Sequence, residues 1–238
     1  ACLVGSEMCI RDSGVIAPSG TGTEAYWSAT LAGKNAIAEI SRFDASSYPV
    51  GLAGEVRDFD AAEHLESRLL PQTDQMTRMA LVASDMALAD AGVDPAQHDD
   101  YKIGVVSSNC YGGWDFGARE MEHLWAQGPR TVSVYESFAW FYAVNTGQIS
   151  IRHRLHGHCG VLVSEEAGGL DAIATARRQI RLGTPLMLTG GFEAPVCPWT
   201  LCAQISGGRL STAAAAEGAY RPFDVGASGH VPAEGGAI

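Results

Sequence analysis

The chain has 238 residues, 46% hydrophobic and 18% charged, with a mean hydropathy of +0.02, the composition of a globular protein able to bury a sizeable core as one large domain or two small ones. Its formal charge of -11 excludes nucleic acid and anionic membrane as natural partners, because both reward clustered Lys and Arg, and it disfavours docking of a second strongly acidic protein. No apolar run approaches the roughly 18 residues that cross a bilayer, and no secretory leader pattern opens the chain, so a cytoplasmic location is expected.

In chain order, residues 3–13 (LVGSEMCIRDS) match the in-frame translation of a sequencing adapter, so residues 1–13, with Cys2 and Cys9, are set aside as a library scar. Residues 14–22 (GVIAPSGTG) read as a strand end running into a glycine-rich turn. Thr23 is expected to cap a helix through Trp27 and Leu31 that stops at Gly33. Residues 42–71 are irregular and rich in Asp, Ser and Pro, a long surface excursion. Over 74–91 the apolar Met76, Met79, Ala80, Ala83, Ala87 and Leu88 recur at helical spacing, and Gly92 ends the run.

Three short apolar runs, 103–107, 161–164 and 186–189, read as strands, the first buried on both faces. Helical stretches over 114–126, 141–153 and 167–181 separate them. The alternation predicts an α/β fold with a mostly parallel sheet covered on both faces. The TAAAA tract at 212–216 reads as a loop or short helix. Ala237 and Ile238 fall inside what reads as a further strand, so the sequence is expected to be a fragment of a longer protein. The cysteines Cys110, Cys159, Cys197 and Cys202 lack disulfide-framework spacing and are expected to stay reduced.

The most informative segment is VLVSEEAGGLD (161–171), an apolar run that stops abruptly before a helix of small residues, the pattern of a nucleophile elbow. Acyl-transfer enzymes place Ser or Cys on such a corner, where the helix N-terminus stabilises the oxyanion formed by attack on a carbonyl. Here the corner carries Glu165 and Glu166, and a carboxylate is a poor acceptor of an acyl group from a thioester.

Together with SFAWFYAVNTGQISIRH (137–153), GGFEAPVCPW (190–199), GGRLST (207–212) and YRPFDVGASGHVPAEGGAI (220–238), this segment makes the chain similar, from Gly14 onward, to chain length factors. These are the beta subunits of bacterial type II polyketide ketosynthases, in the beta-ketoacyl synthase superfamily. The resemblance implies a thiolase-like layered α-β-α-β-α fold, of which residues 14–238 hold the N-terminal half and the start of the second half. It implies a heterodimer with a ketosynthase alpha subunit, and an acyl carrier protein bearing malonyl and polyketide chains. Counting back four residues from the Leu of the Gly-Leu-Asp triplet puts the condensing enzymes' cysteine at Glu166. Chain length factors carry Gln there, so this sequence departs from its own family.

The resemblance implies further roles. Trp114, Gly117 and Met121 share one helical face at i, i+3 and i+7 and match positions lining the elongation tunnel. Gly117 and Met121 are expected to open space and Trp114 to fill it. Phe138, Trp140, Phe141 and Tyr142 are expected near the heterodimer interface, with core packing as the alternative. Glu166 is expected to help cap the 167–181 helix. Malonyl decarboxylation is the alternative if burial keeps its carboxyl protonated.

The function implied is a non-condensing partner that shapes the tunnel and so the polyketide length. The alternative is an active beta-ketoacyl carrier-protein synthase or malonyl decarboxylase. HRLHGHC (153–159) is too crowded for His158 and Cys159 to share one tetrahedral zinc, so no metal is expected. No P-loop or dinucleotide fingerprint occurs, so no cofactor is expected either. Cys159 is set aside as a displaced thiol because it precedes its strand; Cys110, Cys197 and Cys202 are expected in or near the core.

Overall fold

A computed structural model describes residue 10 and residues 12–238. Most of the adapter-like segment, residues 1–9 and 11, lies outside the described residues. The chain opens with β1 (Val15–Ala17) and β2 (Gly20–Thr21), followed by α1 (Thr23–Leu31). Thr23 does not cap α1: the N-cap is Gly22 at φ 90°, and the Thr23 hydroxyl donates to the Ser13 carbonyl instead, at 3.0 Å. A small two-stranded sheet, β3 (Ala38–Glu39) with β4 (Leu52–Ala53), then leads to α2 (Gln75–Ala91).

α2 begins and ends as its sequence predicts. The Asp74 carboxylate accepts from Met76 N at 2.9 Å, and Gly92 takes the left-handed conformation that closes the helix. Its apolar stripe, with Met76, Met79, Ala80, Ala83 and Leu88, forms the heart of the main core beside Ile103, Val105, Ile149, Leu188 and Phe192. Each fully buried Leu, Ile, Met or Phe contributes about 1.5–3 kcal/mol relative to exposure.

Next come β5 (Ile103–Ser108), α3 (Trp114–Gln127), a short α4 (Glu136–Ala139), α5 (Val144–His153) and β6 (Cys159–Leu162). The remainder is α6 (Gly168–Arg181), β7 (Leu186–Glu193), α7 (Pro198–Ser206) and β8 (Gly235–Ala237). The main sheet runs β2-β1-β8-β7-β5-β6. Only β5 is parallel to its neighbours, β6 and β7; the other three pairings are antiparallel, so the expectation of a mostly parallel sheet is corrected. The physical reason is that a parallel neighbour needs a crossover connection; among the described strands β5 reaches β6 through α3 to α5, and β7, after α6, returns to the other side of β5.

All six residues of β5 are buried, as expected for a strand covered on both faces. Ile103 and Val105 face α2 and α5, while α6 packs across β5, β6 and β7 from the other side. β6 starts two residues earlier than its apolar run suggests, because pairing of Val105 with Cys159 through Ser108 with Leu162 sets its limits. β7 continues through Gly190 and Gly191, where an added Cβ would collide with the backbone of Ala237 and Ser108.

The excursion over 42–71 is held by two buried carboxylates. Glu55 accepts from Ser41 N at 2.9 Å and from the Ser41 hydroxyl at 2.6 Å, and Arg42 pairs with Glu234 at 2.6 Å. A second core of Ile40, Val50, Ala53, Val196, Leu201 and Leu210 lies beneath it.

Candidate functional site

The parallel strands β5, β6 and β7 end together, since Ser108 stands opposite Leu162 on one side and Gly191 on the other. In α/β sheets the carboxyl ends of the strands are where ligands bind. Two structures are built on this edge.

The first is the corner after β6. The chain turns through Ser164 into a single 3-10 turn, Glu165–Ala167, and then into α6. Glu165 sits at φ 45°, left-handed for a residue with a side chain, a conformation that costs about 1–3 kcal/mol and clusters at active sites. Gly168 is needed there, because a Cβ would collide with the Ser108 hydroxyl; Gly169 faces open space. The Ser108 hydroxyl is itself committed, donating to the Leu162 carbonyl at 3.2 Å.

Glu166 does not cap α6, correcting the expectation: the N-cap is Ala167, with no side-chain bond. Its carboxylate points outward, with 76% of the side chain exposed, and pairs with Arg209 at 3.5 Å. Arg209 reaches Glu165 at the same distance, so one guanidinium spans both glutamates. The reason is geometric. The 3-10 turn carries the side chain away from the α6 amides before the helix begins. The Glu166 side chain is exposed in this chain, not buried.

A cavity of about 750 Å³ lies beside the corner, lined by Cys110, Glu165, Gly169, Ile173, Met187 and Glu193 among others. Cys110 is a thiol in reach of the same space. Burial and then the charges of Glu193, Glu165 and Glu166 push its pKa up, which suppresses the thiolate that acyl transfer needs. Cys159 is exposed at the first residue of β6, whereas the corner follows the strand's last residue. Cys197 is buried as expected, but Cys202 is exposed on α7, because only the Leu201 face of that helix reaches the second core.

The second structure is the turn from β5 into α3. Glu193 at the end of β7 accepts from the backbone of Cys110 and from Tyr111 N at 3.2 Å. Burial pushes its carboxyl up to about 7, against the lowering effect of these amides and that of Gly112, with the charge of Asp74 adding to the rise. Asp74 bridges two helices: Oδ1 takes Met76 N of α2 and Oδ2 takes Phe116 N of α3, both at 2.9 Å. Burial raises it to about 6, opposed by the same two amides. Gly112 (φ 83°) and Gly113 let the turn press on the Trp140 and Ala139 carbonyls; Gly113 N donates to Trp140 O at 3.1 Å.

On α3, Gly117 is buried while Trp114 and Met121 are half-buried. Gly117 does not open space as expected: a Cβ there would stand 3.3 Å from Trp140 Cβ and 3.6 Å from a Glu136 oxygen. Trp114 packs edge-on against Trp199 of α7, ring centroids 5.0 Å apart.

The aromatic segment does not begin α5. Residues 140–143 form a turn between α4 and α5, and only Phe138 packs against the main core. Trp140, Phe141 and Tyr142 are 46%, 39% and 39% exposed; Trp140 meets Phe141 edge-on and Phe141 meets Tyr142 at a tilt. The histidines of 153–158 diverge: His153 bonds the Ser84 hydroxyl at 2.9 Å, while His156 lies against the Tyr101 ring.

The family described as Beta-ketoacyl synthase, N-terminal domain, matches residues 7–238. The chain belongs to that family. The tetracenomycin polyketide synthase ketoacyl synthase beta subunit of Streptomyces glaucescens is 60% identical over 226 residues, covering 94% of this chain and 55% of that protein. The chain thus spans about half the length of this curated relative.

Among solved structures, the ishigamide ketosynthase/chain length factor superposes with a TM-score of 0.83 at 24% identity, over 95% of this chain and 56% of that one, which shows the thiolase-like fold. A type II acyl-carrier protein in complex with its hexaketide-bound ketosynthase (AntDE:AntF) matches with a TM-score of 0.69 at 27% identity, over 84% of this chain and 55% of that one. Among the described residues no helix is long and apolar enough to cross a membrane.

Sequence reading missed Asp74, Glu193, Arg209 and Trp199 as parts of this edge. Asp74 was read only as the first residue of the 74–91 helix. The contacts of the other three span separations that no local pattern encodes: Arg209 meets a glutamate 43 residues away, and Glu193 a turn 83 residues away.

Proposed function

We propose that the chain is the N-terminal half of a chain length factor, the non-condensing partner of a ketosynthase in type II polyketide biosynthesis. The carrying observation is the corner at Glu165 and Glu166. The strained backbone of a nucleophile elbow is present, yet its side chain is a carboxylate spanned by Arg209 rather than a thiol. The 60% identity to a ketosynthase beta subunit supports the same reading.

In this reading, function passes from the corner to α3. Trp114 and Met121, with Trp199 against Trp114, form the half-buried wall that limits chain growth, and buried Gly117 seats that wall on Trp140. Trp140, Phe141 and Tyr142 form an exposed aromatic surface of the kind that concentrates binding energy, and a ketosynthase alpha subunit is its partner. The substrate is a polyketide chain carried, like malonyl, by an acyl carrier protein. Glu166 takes no part in the chemistry.

The test uses the full-length protein. Mixed with a ketosynthase alpha subunit and malonyl-loaded carrier protein it yields polyketide of one length, while alone it condenses nothing. Condensation by the full-length protein alone would overturn the proposal.

A further inference from the structure

Asp74, buried, and Glu193, half-buried at the end of β7, are carboxylates that the reading above leaves without a task. They come from different elements, the N-cap of α2 and the end of β7, yet both grip the segment that launches α3. Asp74 holds Met76 N with one oxygen and Phe116 N with the other, so a single side chain fixes the first turns of α2 and α3 to each other. Glu193 holds the amides of Cys110 and Tyr111 just before. On the far side the Ala139 and Trp140 carbonyls block the turn wherever a Cβ would stand at Gly112 or Gly113. The start of α3 is therefore held on one side by two carboxylates and bounded on another by two carbonyls.

Resting on the reading that α3 walls the tunnel, we propose that Asp74 and Glu193 are positioning residues for chain length, setting where α3 begins and so where Trp114 and Met121 stand. Both act through α3. A helix 14 residues long turns a small tilt at its first turn into a shift of about an ångström or more at Met121, since each residue adds about 1.5 Å of lever. The N-terminal tie thus acts on length without lining the tunnel.

The chemistry of the two ties separates their variants. Both Asp74 oxygens accept, each from a different helix. Asp74→Asn keeps the cap on α2 but turns an NH2 toward Phe116 N, so the tie to α3 is lost at nearly constant volume. Glu193 works mainly through Oε1, which takes both amides at the shorter distances, with Oε2 at 3.4 Å from Tyr111 N. Glu193→Gln retains that acceptor.

The experiment is reconstitution of the full-length protein with a ketosynthase alpha subunit and malonyl carrier protein, reading product lengths by mass spectrometry and heterodimer yield by size exclusion. Asp74→Asn is expected to give heterodimer whose product is no longer a single length, while Glu193→Gln keeps the parental product. Met121→Trp reports on the underlying reading. If Met121→Trp shifts the length and assembled Asp74→Asn does not, the positioning role is wrong and the tunnel reading stands. If neither shifts it, α3 does not set length and both fall. Should Asp74→Asn fail to assemble, Asp74→Ser, which also caps α2 but is too short to reach Phe116 N, decides by the same readout; parental product from either variant refutes the inference.

Discussion

The corner at Glu165–Ala167 and the turn from β5 into α3 stand on the same sheet edge and are built in opposite ways. The corner keeps a strained backbone but points its carboxylates at solvent and an exposed arginine, where ion pairs are worth about 0–1 kcal/mol. The α3 turn is closely packed at Gly112 and Gly113 and tied by the buried Asp74 and the half-buried Glu193. The corner leaves its carboxylates to solvent and one arginine, whereas the α3 turn holds its carboxylates in backbone hydrogen bonds.

The comparison is most severely strained at Gly113. Gly113→Val drives a branched side chain into the Ala139 carbonyl and Asp74, and should cost the full-length protein about 3 kcal/mol in urea denaturation. Gly147, also a helix-region glycine but with open space around it, should accept Ala with a gain of up to about 1 kcal/mol. Equal effects at the two positions would mean the α3 turn is not packed as described.

The carboxylates that tie α3 make the second test. Glu193 is raised to about 7 from an ordinary value near 4.5, chiefly by burial, with Asp74, Cys110 and Tyr111 as its titratable neighbours. A carboxyl whose folded pKa lies above its unfolded one holds its proton longer in the folded state. Its stabilising contribution is present below about pH 4.5 and is lost as pH rises through about 7. Glu193→Gln removes that contribution, so its stability should fall less than that of the parent between pH 5 and pH 8, by roughly 2 kcal/mol. Parallel pH profiles would contradict the burial assigned to Glu193.

Gly117→Phe comes next. Its ring cannot enter free space and must push Trp140 aside, so heterodimer yield should drop along with product length, in the range of about 1–3 kcal/mol for overpacking. A shorter product at full yield would show that space exists where the packing denies it. The smallest effect is expected at the corner: Glu166→Gln and Arg209→Ala should each change stability by no more than about 0.5 kcal/mol. Polyketide output should stay close to parental; a many-fold rise for Glu166→Gln would return chemistry to the corner.

Much of this was legible in the sequence where the signal is local. α2 announces itself by Met76, Met79, Ala83 and Leu88 between Asp74 and Gly92, and α3 and α6 were placed to within a residue at each end. The corner was legible because small residues after an apolar run are a short-range pattern. What was not legible depends on pairing. The antiparallel half of the sheet is set by β8, which joins strands from opposite ends of the chain. The direction of Glu166 depends on a 3-10 turn that composition does not encode. The space at Gly117 looked free until Trp140, 23 positions later, came to occupy it.

The central claim is that the α3 wall, and not the corner, carries function. It is tested most directly by the product length of the reconstituted full-length heterodimer with Met121→Trp, a change at a half-buried position of α3. The account predicts a product shorter by one or more malonate-derived units from a complex of parental yield. A product of unchanged length from that complex would contradict it.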